Sequence, residues 1–67
     1  MINAVKQARM EKQLTQSELA VLLGVSRQTI HSIESSRYVP STVLALKLAQ
    51  VLGKAVEQLF QLESSDS

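Results

Sequence analysis

Apolar positions along the chain recur every three or four residues, and each run of them stops at a polar cap, a glycine or a proline. This is the helical period rather than the alternation of a strand. Val5, Ala8 and Arg9 share one face of a predicted helix over residues 3–12. In Thr15-Gln16-Ser17-Glu18 a threonine precedes a glutamate by three positions, the spacing of a capping box, so a second helix should begin there and run over 16–23. Leu19, Ala20 and Leu23 make its inner stripe, with Leu22 flanking it and Val21 pointing away. Gly24 is placed to end it, because a residue without a Cβ enters the left-handed region at little cost. Ser26 is a suitable cap for a third helix over 27–35, and the stretch SSRYVP then breaks the pattern, since Val39 precedes Pro40.

Ser41 opens a fourth helix over 42–52 that Gly53 closes. Its buried stripe is Ala45, Leu48, Ala49 and Leu52, widened by Leu44 and Val51. A short last helix is expected over 56–60, with Ala55 where a capping hydroxyl would help by about 1 kcal/mol. No alternating strand pattern or repeat stands out. The prediction is an all-α fold of five short helices, with residues 1–62 as one domain and 63–67 as a polar tail expected to be disordered.

The sequence Gly24-Val25-Ser26 is only a three-residue turn, which forces the second and third helices to cross steeply. At 100° per residue, Ile30 and Ile33 fall on the inner side of the third helix. Gln28, Ser32 and Ser35 point outward, with Arg27 and His31 beside them. Glutamine can pair with adenine N6 and N7, arginine with guanine O6 and N7, and serine can donate or accept. The face therefore suits base reading. Any solvated helix must also show polar residues, so composition alone leaves both readings open.

Charge and composition narrow the classes. The formal net charge is +1, but the seven basic residues lie within 1–62, where Glu11, Glu18, Glu34 and Glu57 are the acids, giving that body 7 − 4 = +3. A mildly basic body is compatible with phosphate contact without requiring it. The absence of cysteine excludes disulfides and thiolate metal sites, and a single histidine argues against a protein-only zinc site. There is no signal-peptide core at the amino end and no run of the roughly 20 apolar residues that spans a bilayer. A cytoplasmic protein with no membrane partner, cofactor or small-molecule ligand is expected.

The stretch LTQSELAVLLGVSRQTIHSIESSRYVPS, followed by ALKLAQVLGKAVEQLF, resembles the Cro/lambda-repressor-like, or XRE, family of helix-turn-helix regulators, over almost all of the chain up to Phe60. Its length and the stretches SRQTIHSIE and LFQLE look most like small stand-alone repressors of the cytolysin-repressor type. The resemblance implies a compact λ-repressor-like fold and a sequence-specific transcription regulator that binds double-stranded DNA, a repressor acting as a homodimer on a palindromic operator. It places Arg27, Gln28, His31 and Ser32 at base edges, and Gln16, Ser26, Thr29, Arg37 and Tyr38 at phosphates. It makes Arg9 and Glu34 a structural ion pair and puts Val56, Leu59, Phe60 and Leu62 in the dimer interface. It also suggests a short two-stranded sheet between residues 1–3 and 60–63. An antitoxin that holds a toxin and represses its own operon is the alternative. Catalysis is not expected: His31 and Ser32 are adjacent on a helix and do not face one another, and Glu34 is committed to Arg9.

Overall fold

The computed structural model describes residues 1–66. A two-residue strand, β1 (Ile2–Asn3), leads into α1 (Val5–Glu11), α2 (Gln16–Leu23), α3 (Arg27–Glu34), α4 (Thr42–Leu52) and α5 (Val56–Leu59). A second short strand, β2 (Phe60–Gln61), and a 3-10 turn over Ser64–Asp66 follow. The strands pair antiparallel with Ile2 opposite Gln61 and Asn3 opposite Phe60. Five helices and a terminal two-stranded sheet agree with expectation. The first helix is shorter than predicted because Asn3 is taken into the sheet.

Three helices, α2, α3 and α4, begin at a hydroxyl that accepts one of their free N–H groups. The Glu18 N–H donates to Thr15 Oγ1 at 3.0 Å and the Thr15 N–H donates to Glu18 Oε1 at 2.8 Å, completing the capping box. Ser26 Oγ accepts from the Thr29 N–H at 3.1 Å and Ser41 Oγ from the Leu44 N–H at 3.2 Å. At α5 only half of the box exists: the Ala55 N–H donates to Gln58 Oε1 at 2.8 Å, and alanine offers no acceptor in return.

The helix ends share one device. After each of α1 to α4 a residue turns left-handed and the next N–H reaches back five residues. The bonds are Leu14 N–H to Arg9 O, Val25 N–H to Ala20 O, Arg37 N–H to Ser32 O and Lys54 N–H to Ala49 O, at 2.9–3.1 Å. Gly24 and Gly53 fill two of the left-handed positions. Gln13, at φ 58°, and Ser36, at φ 62°, fill the other two. Helix ends at these two carry no glycine, which is why the sequence pattern does not mark them.

The core lies where α1, α2, α3, α4 and α5 meet. It is made of Val5, Ala8, Leu19, Ala20, Leu23, Ile30, Ile33, Leu48, Leu52 and Leu59, with Leu14, Val25, Leu44, Ala49, Val51 and Phe60 packed against it. Leu59 corrects the expected dimer surface: it is fully buried within the monomer, so it cannot meet a second copy. Truncating such a leucine costs about 2–5 kcal/mol of fold stability.

Within the segment expected to be a frayed tail, Ser64–Asp66 form the 3-10 turn. The Met1 amine stands 3.0 Å from Glu63 Oε1 and 3.0 Å from Asp66 Oδ2. Hydrogen bonding to Asp66, and next to Glu63, raises the amine above its ordinary pKa. The Asp66 carboxyl is held below its usual range by the Glu63 backbone N–H and then by the amine. Ser67 lies outside the described residues.

Candidate nucleic-acid interface

The tight turn between α2 and α3 fixes the site. Gly24 bends the chain, Val25 is half-buried against the core, and Ser26 restarts the helix. Ile30 and Ile33 then bury the inner face of α3 and leave Arg27, Gln28 and His31 exposed on the other. With Gln16 from the start of α2 these three line an open, polar groove of about 360 Å³. Eight residues at 1.5 Å each make α3 about 12 Å long. With its side chains a helix is about 10–12 Å across, and the major groove of B-DNA, roughly 12 Å wide, admits one.

The remaining residues singled out in the sequence fall into two groups. Ser26 and Thr29 sit at the amino end of α3, their hydroxyls 2.9 Å apart. Ser32 is half-buried, and its carbonyl accepts the N–H groups of Arg37 and Tyr38 at 2.9 and 3.2 Å. Arg37 and Tyr38 are exposed in the loop beyond the other end of α3. The groove therefore gathers Gln16, Arg27, Gln28 and His31 at one place, while the loop stands apart from it.

Arg9 and Glu34 meet as the resemblance implies. The Arg9 guanidinium donates from Nε to Glu34 Oε2 at 2.7 Å and from Nη2 to Oε1 at 3.2 Å. Its Nη1 reaches the Leu14 carbonyl at 2.8 Å. Their side chains are 10% and 5% exposed, so this is a near-buried bidentate pair. Gln16 extends it: its Nε2 donates to Glu34 Oε1 at 3.1 Å and its Oε1 accepts from Arg27 Nε at 3.4 Å. Sequence reasoning gave Gln16 a phosphate and missed this link. Spacing of 11 and 18 residues between partners leaves no local signature.

Sequence reasoning also missed Asn3. Its Nδ2 donates to the Ile33 carbonyl at 3.1 Å and to Ser36 Oγ at 2.9 Å, joining β1 to the end of α3. A second surface, formed by residues of α4, α5 and neighbouring segments, is apolar. Met1, Val39, Pro40, Thr42, Ala45, Leu46, Val56 and Phe60 line a groove of about 230 Å³, and Val39, Val43, Leu46 and Leu62 are well exposed.

Together these features define a λ-repressor-like helix-turn-helix domain. Comparison with known proteins agrees. The sequence profile of the family described as HTH_3, helix-turn-helix, matches residues 5–59, and the chain belongs to that family. It is 46% identical over 66 residues to an uncharacterized HTH-type transcriptional regulator of Methanocaldococcus jannaschii, covering 98% of this chain and all of that protein. It is 39% identical, over the same length and coverage, to the uncharacterized HTH-type transcriptional regulator YgzD of Bacillus subtilis. Among solved structures it is similar to the restriction-modification controller protein C.AhdI from Aeromonas hydrophila, with a TM-score of 0.76 and 34% identity over 84% of this chain and 85% of that one. The chain is a transcription regulator with a helix-turn-helix DNA-binding domain, and not an enzyme.

Proposed function

We propose that the chain is a repressor that binds an inverted-repeat operator as a homodimer, with α3 in the major groove of each half-site. The observation that carries the reading is the isoleucine-anchored α3 with Arg27, Gln28 and His31 on its outer side. A helix held by two buried side chains loses little further entropy when it meets DNA. Gln28, Arg27, His31 and Ser32 read bases. Gln16, Ser26 and Thr29 at helix starts, and Arg37 and Tyr38 in the loop, meet phosphates, where free N–H groups and positive charge favour an anion. The likeness to a controller protein and to HTH-type regulators supports control of transcription. A bound dimer at a promoter would exclude polymerase.

The second copy docks through the apolar groove between α4 and α5. Val56, Phe60 and Leu62 remain in this surface, and Val39, Val43 and Leu46 join them in place of the buried Leu59.

Selection from a random duplex library tests the reading. A palindromic site with half-sites about one turn apart is expected. On that site Gln28→Ala should cost about 1–3 kcal/mol of binding while leaving random duplex nearly unaffected. Equal losses on both duplexes would remove Gln28 from base reading, and an enriched site without symmetry would remove the dimer.

A further inference from the structure

We propose that Asn3 is a positioning residue for DNA binding: its side-chain amide sets the exit of α3 and so places the Arg37–Tyr38 loop. The proposal rests on the reading that this loop meets phosphate.

Three observations carry it. First, the Asn3 amide is used at both ends. Its Oδ1 accepts from the Val5 N–H at 3.4 Å, and its Nδ2 donates to the Ile33 carbonyl and the Ser36 hydroxyl. The polarity of the amide is fixed by these partners, since Nδ2 can only donate and Oδ1 only accept. Second, Ser36 holds φ 62°, a conformation that a residue with a Cβ disfavours and that persists only where neighbours enforce it. The Asn3 bond to Ser36 Oγ is one enforcing contact. Third, the loop starts at once: the N–H groups of Arg37 and Tyr38 both close on the Ser32 carbonyl. Asn3, Ser36 and Tyr38 line the same small cavity of about 110 Å³.

The connection reaches further. Asn3 faces Phe60 across the two-stranded sheet, and Phe60 lines the apolar groove assigned above to a second copy. Asn3 is thus the polar link between the terminal sheet and the reading helix. It touches no base or phosphate under this proposal and acts through Ser36 and the loop.

The test compares the full chain with Asn3→Ala, Arg37→Ala and the double variant. Each is titrated with the best selected duplex and with random duplex over a series of salt concentrations, at temperatures where circular dichroism shows native helix content. Asn3→Ala should weaken both duplexes by about three- to tenfold, in line with the loss of one or two hydrogen bonds. It should flatten the salt dependence in the direction that Arg37→Ala does, because a displaced cation releases fewer counterions. The double variant should bind no more than about twofold more weakly than Arg37→Ala, because two changes that act through one contact do not add. A role confined to stability would leave the salt slope of the folded protein unchanged, and that result overturns the proposal. So would losses that simply multiply. A wild-type salt slope in Arg37→Ala sinks the phosphate reading of the loop itself, and this inference with it. Should Asn3→Ala not fold, Ser36→Ala removes one acceptor while leaving the strands intact. It must show a smaller loss with the same flattened slope, and wild-type binding by it overturns the proposal.

Discussion

Gln13 and Ser36 occupy equivalent places, each in the left-handed conformation just past a helix, and each is a residue that pays for that conformation. Gln13→Gly should therefore stabilise the protein by about 1 kcal/mol, seen as a higher Tm, because glycine removes the Cβ clash. Ser36→Gly should gain distinctly less, since it also deletes the acceptor for Asn3 Nδ2. Equal gains at the two positions would show that the Asn3 contact contributes nothing. Gln16 makes the same point about side chains. Its type and its place at the start of α2 suit a phosphate contact, yet its amide is already engaged between Glu34 and Arg27. Residue type told what Gln16 could do, and only its neighbours tell what it is doing before DNA arrives.

Among the elements, α1 and α3 are held to one another by the Arg9–Glu34 pair, with the α2 start tied in through Gln16 and Leu14. Arg9→Ala leaves the Glu34 carboxylate nearly buried without its cation, and such a loss costs about 3–5 kcal/mol. Urea unfolding should show the midpoint falling by a corresponding amount. Arg9→Met combined with Glu34→Leu should recover most of that loss, because two apolar residues of similar bulk leave no unpaired charge. A double variant as unstable as Arg9→Ala would mean that the pair contributes net stability beyond its mutual neutralisation. The helices themselves were legible in sequence. Thr15, Ser26 and Ser41 each bond an N–H three residues on, and that local arrangement needs no tertiary partner. Asn3 was not legible, because its partners lie 30 and 33 residues away.

The described residues extend 33 Å in their longest dimension, and α3 is the one helix among them proposed to read bases. Successive major-groove entries on one side of the duplex are about 34 Å apart, so reaching two of them takes a second copy. In the proposed dimer that copy sits on the apolar surface around Leu46, which is 54% exposed and lines a groove with Phe60. Leu46→Glu should therefore leave the monomer folded and shift the dimer toward monomer in sedimentation equilibrium. It should weaken operator binding far more than binding to a single half-site. Unchanged mass in the variant would move the interface elsewhere. Leu59→Ala is a poor probe of the same question, because its effect falls on the core.

The sequence by itself determined the five helices, the hydroxyl caps that open α2, α3 and α4, the turn between α2 and α3 and the polar outer face of α3. Each of these follows from chemistry within a few residues, where helical period and side-chain capping act. The tertiary structure alone decided the contacts that close over long stretches of chain. These put Leu59 inside and Leu46 outside, bond the Asn3 amide to the end of α3, and turn Gln16 toward Glu34. They also hold Gln13 and Ser36 in a conformation their own side chains disfavour. Burial depends on what packs from elsewhere in the chain, and a pattern read along one helix can mark an apolar stripe without saying which of its margins is covered.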